Sequence, residues 1–71
     1  MTEISIREGE DFIRLGQALK KAGLVGSGVE AKIVIQDGEV TVNGEVETQR
    51  GKKLYGGEVV AFNQESFQVT K

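Results

Sequence analysis

The chain opens with Ile4 and Ile6 alternating with polar residues, the period of a short, half-buried strand. Glu8-Gly9-Glu10-Asp11 follows as a turn whose acidic residues suit the positive end of a helix dipole. From Phe12 the period changes. Phe12, Leu15, Ala18, Leu19 and Ala22 fall on one helical face, which predicts a first helix beginning at Phe12. Lys20 and Lys21 sit in its last turn, and Gly23 is placed to end it in a left-handed conformation. Ser27 and Glu30 have the spacing of a capping box, with Glu30 reaching back to the Ser27 amide. The second helix is expected from about Gly28 to Asp37, with Ala31, Val34 and Ile35 inward, Ile33 at the margin and Gly38 ending it. The short connection, Leu24 to Gly26, makes the two helices an adjacent, crossed pair.

The remainder returns to period two. Val40 and Val42 flank Thr41, and Asn43-Gly44 is a strong hairpin signal because both positions tolerate positive φ. Val46 and Thr48 continue the return strand. Arg50-Gly51-Lys52-Lys53 is a basic loop, Gly56-Gly57 a second turn, and Glu58 to Phe62 a further strand. Asn63-Gln64-Glu65 turns the chain into a last strand, Ser66 to Thr70. The expected fold class is α+β: two crossed helices packed on a small, mostly antiparallel sheet.

Composition narrows what such a fold could do. Seventy-one residues allow one small domain, here 1–71, which buries roughly 60–65% of its unfolded surface and leaves little room for a deep cleft. There is no His and no Cys, so Ser-His and Cys-His catalysis, thiolate zinc sites and disulfides are all excluded. The carboxylates Glu8, Glu10 and Asp11 lie in an exposed turn, and Glu45 and Glu47 near a hairpin tip, where nothing separates their pKa values for acid–base work. No Asp/Asn-rich calcium loop is present, and Gly26-x-Gly28 is too short for a dinucleotide fingerprint. The chain is expected not to be an enzyme, with no metal site and no cofactor. No apolar run reaches the length of a membrane span. The segment Met1 to Ile6 lacks the basic-then-apolar order of a signal peptide, so the cytoplasm is the expected compartment.

The net charge of −2 argues at first against a nucleic-acid partner, but its distribution does not. Arg14, Lys20, Lys21 and Lys32 against Glu30 make residues 12–36 a block of +3. Arg50, Lys52 and Lys53 make residues 50–53 a second block of +3. Asp37, Glu39, Glu45 and Glu47 separate them with −4. Brought together by the fold, the two blocks would form a local positive surface able to bind phosphates. Left apart, they are ordinary solvated side chains.

A resemblance weighs on that choice. Arg14-Leu15, Leu24-Val25-Gly26-Ser27, Glu30-Ala31-Lys32, Val34-Ile35, Gly38-x-Val40-x-Val42-Asn43-Gly44 and Gly57-Glu58-Val59-Val60 are in register with a known pattern. Over residues 14–60 the chain resembles the RNA-binding domain named after ribosomal small-subunit protein S-four, also called the alpha-L motif. As a whole it is similar to the small stand-alone bacterial members of that family, the YaaA/YbcJ type. The resemblance implies that RNA lies across the helical pair and the neighbouring loop. It carries over Arg14 at the start of the first helix, where a guanidinium can grip a phosphate bidentately. It carries over Ser27 at the start of the second, where free amides favour an anion, and Lys32 after the Ala31 marker. Lys20, Lys21, Arg50, Lys52 and Lys53 are basic on segments that the family places near the same surface.

The departures from the pattern are Gly28 where many members carry Arg, Gly16 in place of a common Asp, and Gln36, Glu39 and Thr41 at often-basic positions. They imply fewer phosphate contacts at the helix–strand junction, and with that lower affinity, dependence on a larger ribonucleoprotein surface, or a shifted site. The partner implied is structured RNA, with ribosomal RNA or an assembling ribosomal particle first among candidates, bound by a monomer. Shape and phosphates would dominate recognition. Tyr55 is the one tyrosine, and Phe12, Phe62 and Phe67 are expected in the core, so base stacking is expected to be minor. The competing expectation is a protein-interaction module on the same fold, presenting Glu39, Glu45 and Glu47 as an acidic face.

Overall fold

A computed structural model describes residues 1–71. The elements in chain order are β1 (Thr2–Ser5), β2 (Ile13–Arg14), α1 (Leu15–Lys21), α2 (Gly28–Gln36), β3 (Val40–Val42), β4 (Glu45–Val46), β5 (Lys53–Leu54), β6 (Val59–Phe62) and β7 (Glu65–Thr70). Five strands form one sheet in the order β1-β7-β6-β3-β4, and β2 and β5 form a separate ribbon. Only the β1–β7 pair is parallel, so the α+β architecture with a mostly antiparallel sheet is as expected.

Alternation along the strands selects the inner face of the sheet. Val60 lies opposite Phe67, and Ile4 opposite Val69. With Val40 they are all buried. The helices cover that face with Leu15, Ala18, Leu19, Ala31, Val34 and Ile35, and Ile6, Val25 and Leu54 complete one contiguous cluster. Phe67 is central to it, and Phe62 packs at its margin.

The turns follow backbone requirements. Asn43 (φ 52) and Gly44 (φ 85) make the two-residue hairpin between Val42 and Glu45. The Asn43 Oδ1 also accepts from the Val59 amide at 2.9 Å, which ties the hairpin to β6. Gly23 adopts φ 77 just after α1, where Leu24 donates to the Leu19 carbonyl at 3.1 Å.

Three expectations are corrected. The first helix begins at Leu15, not Phe12, because Ile13 and Arg14 are extended and pair with Leu54 and Lys53. Phe12 is consequently half-buried and outside the core cluster. The return strand stops at Val46 rather than running through Thr48. Glu47 still donates to Val40 at 3.0 Å, but its carboxylate then accepts from the Gln49 amide at 3.0 Å and the chain leaves the sheet.

Candidate nucleic-acid interface

The site is built by the β2–β5 ribbon and the helix that follows it. The ribbon pairs Ile13 with Leu54 and Arg14 with Lys53 in antiparallel register. Successive side chains point to opposite faces. Leu54 is fully buried and Ile13 packs against the core, so Arg14 and Lys53 are directed outward, with Phe12 and Tyr55 next to them on the same face.

The pairing then runs into the helix. Leu15 and Gly16 are the first residues of α1, and their amides have no acceptor within the helix. Leu15 donates to the Lys52 carbonyl at 2.8 Å and Gly16 to the Arg50 carbonyl at 3.0 Å. The Arg14 guanidinium donates to the Gly51 carbonyl at 2.8 Å. Three hydrogen bonds thus fasten the basic loop to the start of α1. Gly16 permits the close approach, since a Cβ there would stand 2.7 Å from the Arg50 Cγ. The departure from the family pattern at this position therefore has a structural counterpart in the seat of Arg50.

The result is an open depression lined by Arg14, Gly16, Gln17, Lys20, Gly28, Arg50 and Gly51, with no hydrophobic side chain. It joins the two basic blocks of the sequence, with Gly28 contributing the first turn of α2. The one ion pair within 4.0 Å in the chain is Arg7–Glu10, at 3.9 Å, so no carboxylate neutralises Arg14, Lys20 or Arg50. Three cations around a solvent-open hollow with no carboxylate in its lining create a positive potential on a chain of negative net charge.

The other candidate residues are placed differently. Lys53 lies opposite Arg14 across the ribbon. Lys52 and Lys53 line a neighbouring depression with Val42, Asn43, Glu45, Val46, Glu47, Tyr55 and Glu58, where carboxylates offset their charge. Lys21 turns to the other side of α1 and donates to the Ser5 carbonyl at 2.8 Å, holding the end of β1. Lys32 is exposed on α2 and does not line the Arg14–Arg50 depression. The Ser27 hydroxyl caps α2 by accepting from the Glu30 amide at 3.1 Å, as the capping spacing predicts. Glu30 itself reaches one residue further back than expected and accepts from the Gly26 amide at 2.6 Å. Its carboxylate at this helix start weakens the attraction that Ser27 and the α2 dipole would exert on an anion.

Sequence reasoning missed Gln17, Gly51 and Phe12. Gln17 lines the depression and its Oε1 accepts from the Arg14 amide at 3.4 Å. The available signal for Phe12 was the alternation Phe12-Ile13-Arg14 facing Lys53-Leu54-Tyr55, two triplets with one apolar residue between outward side chains. It was masked because Phe12 also fits the helical spacing of Leu15 and Leu19.

Beyond Tyr55 the chain turns at Gly56-Gly57, held by Glu58, whose carboxylate accepts from the Tyr55 and Gly56 amides at 2.8 Å each. Burial by itself would raise the Glu58 pKa. The backbone amides of Tyr55, Glu58 and Gly56, together with the Lys52 charge, outweigh it and leave the pKa below its ordinary 4.5.

These features coincide with a known family. The model of the S4 domain matches residues 4–70, and the chain belongs to that family. It is 47% identical over 60 residues to the probable ribosome maturation protein RlbA of Bacillus subtilis, covering 83% of this chain and 84% of the relative. It is 42% identical over 57 residues to the putative RNA-binding protein YbcJ of Escherichia coli, covering 80% of this chain and 81% of the relative. The solution structure of E. coli YbcJ, described as revealing an alpha-L motif involved in RNA binding, superposes with a TM-score of 0.76 at 37% identity. That superposition covers all of this chain and 89% of the other. The alpha-L resemblance and the likeness to YbcJ-type proteins read from the sequence are both upheld. No helix is long and apolar enough to cross a membrane.

Proposed function

We propose that the chain is a non-catalytic RNA-binding module that holds structured RNA by its phosphates, with ribosomal RNA or an assembling ribosomal particle as the target. The observation that carries this reading is the convergence of Arg14, Lys20 and Arg50 on one depression without a neutralising carboxylate. Arg14 is fixed by its bond to Gly51, so its remaining donors are pre-oriented for a phosphate oxygen. The ribosomal target is supported by the similarity to a protein named for ribosome maturation. Lys53 lies opposite Arg14 on the ribbon and Lys52 borders it, with part of their charge offset by Glu45, Glu47 and Glu58 in the depression they share.

The acidic face needed by a protein-interaction module is interrupted. Glu45 and Glu47 share their depression with Lys52 and Lys53, and a Glu47 oxygen is engaged by the Gln49 amide. The RNA reading is therefore preferred.

Binding to a ribosomal RNA hairpin should fall steeply with salt, with a slope corresponding to about three to five phosphates. In cell extract, tagged protein should sediment with ribosomal subunits at low salt and be released by a high-salt wash. Affinity unchanged across salt, or migration only at the top of the gradient at low salt, would overturn this function.

A further inference from the structure

The outer face of the β2–β5 ribbon carries a feature that phosphate binding does not use. Phe12 and Tyr55 meet there with ring centroids 6.0 Å apart and planes tilted by 59°. Tyr55 is 52% exposed, a large aromatic surface left open on a chain with four aromatic residues in all. Its backbone is held by Glu58 through the 2.8 Å bond to the Tyr55 amide. Phe12 supports it from the side, and two cations lie over the Phe12 ring, the Lys53 ammonium at 4.9 Å and the Arg14 guanidinium at 5.3 Å from its centroid.

We propose that Tyr55, backed by Phe12 and flanked by Arg14 and Lys53, is a stacking platform for one unpaired base of the bound RNA. The inference rests on the RNA-binding function above and adds a subsite to it. Charge complementarity selects the occupant. Arg14 and Lys53 border the aromatic pair over Phe12, while Glu45, Glu47 and Glu58 line the depression that Tyr55 shares. The match is therefore to a nucleotide, whose flat base and anionic phosphate are only a few ångströms apart, with the phosphate on the Arg14–Lys53 side. The cation–π contacts hold both charges over the Phe12 ring, next to Tyr55, so that a base on Tyr55 would bring its phosphate to Arg14 and Lys53. The same Arg14 borders the phosphate depression, which makes the platform continuous with it. Paired bases in an A-form stem present no open face to a side chain, so the platform requires a bulged or looped nucleotide. The expectation of minor stacking assumed that Phe12 was buried in the core. The extended course of residues 12–14 brings it to the surface.

The test compares two RNA hairpins whose apical loop is replaced by a non-nucleotide linker, so that neither has a looped base, one bearing a single bulged adenosine and the other fully paired. The bulged hairpin should bind about ten-fold more tightly, the order of one base–aromatic stack. Tyr55→Leu should reduce its affinity to that of the paired hairpin, Phe12→Leu should do so in part, and Tyr55→Phe should retain the preference. The chain has one Tyr and no Trp, so tyrosine emission reports this position alone. It should be quenched by the bulged hairpin and much less by the paired one, a readout on the wild-type protein that no folding defect can mimic. Equal binding of both hairpins with tyrosine emission unchanged would overturn the platform, leaving the pair as ribbon support or a protein contact. If Arg50→Glu still weakened both hairpins in that case, the phosphate function would stand. Failure of both hairpins to bind at low salt would overturn both.

Discussion

Glu58 organises the turn that presents Tyr55. Its two oxygens take the Tyr55 and Gly56 amides, bonds in which the acceptor is charged. Because the folded pKa lies below the ordinary value, the folded chain takes up this proton less readily than the unfolded chain. The stabilisation is therefore complete above about pH 4.5 and is lost as pH falls through the lower folded value. Glu58→Gln should cost about 1 kcal/mol at neutral pH, and the gap to wild type should close toward pH 3, as read by urea melts at both pH values. A gap independent of pH would mean that shape, not charge, holds the turn. At this scale the sequence was informative where a side chain bonds its near neighbours. The Ser27 cap and the Asn43-Gly44 hairpin needed only local spacing. Glu30 was misplaced by one residue, because the extended backbone at Ser27 (φ −156, ψ 166) brings the Gly26 amide to its carboxylate.

Among the elements, the ribbon is the one that decides the site. It has only two residues in each strand, yet Leu54 anchors it in the core with no exposure at all. Truncation by Leu54→Ala should cost about 2–5 kcal/mol, a large part of the stability of so small a domain. Hydrogen exchange should then show the Leu15 and Gly16 amides losing protection, since their acceptors belong to the loop that Leu54 secures. Retained protection at those amides would show that the loop is held by something other than this packing. The strands β6 and β7, the hairpin and α2 were legible because their periods are long enough to be unambiguous. The ribbon was not, since a two-residue strand carries no period and its existence depends on a partner 41 positions away, as in Ile13 with Leu54.

For the whole molecule, the positions of the charges matter more than their sum. Arg50 lines the depression with Arg14 and Lys20, whereas Lys32 lies outside it. Arg50→Glu should weaken binding to a ribosomal RNA hairpin about ten-fold and make its salt slope shallower, because a phosphate contact is lost and a repulsion gained. Lys32→Glu should change affinity by less than about three-fold at the same salt. Filter binding at several salt concentrations checks both, and equal effects would mean a diffuse field rather than a site.

The sequence by itself determined the fold class, the caps and turns, the family pattern and the exclusion of His- and Cys-based catalysis. Each of these depends on residue identity or on spacing within one element. Only the tertiary structure decided that the blocks at Arg14–Lys20 and Arg50–Lys53 meet, that Lys21 turns away to Ser5, and that Phe12 reaches the surface beside Tyr55. The reason is physical. The amides that open α1 have no acceptor in their own helix, and the carbonyls that satisfy them come from a loop more than thirty residues later, brought there by the burial of Leu54.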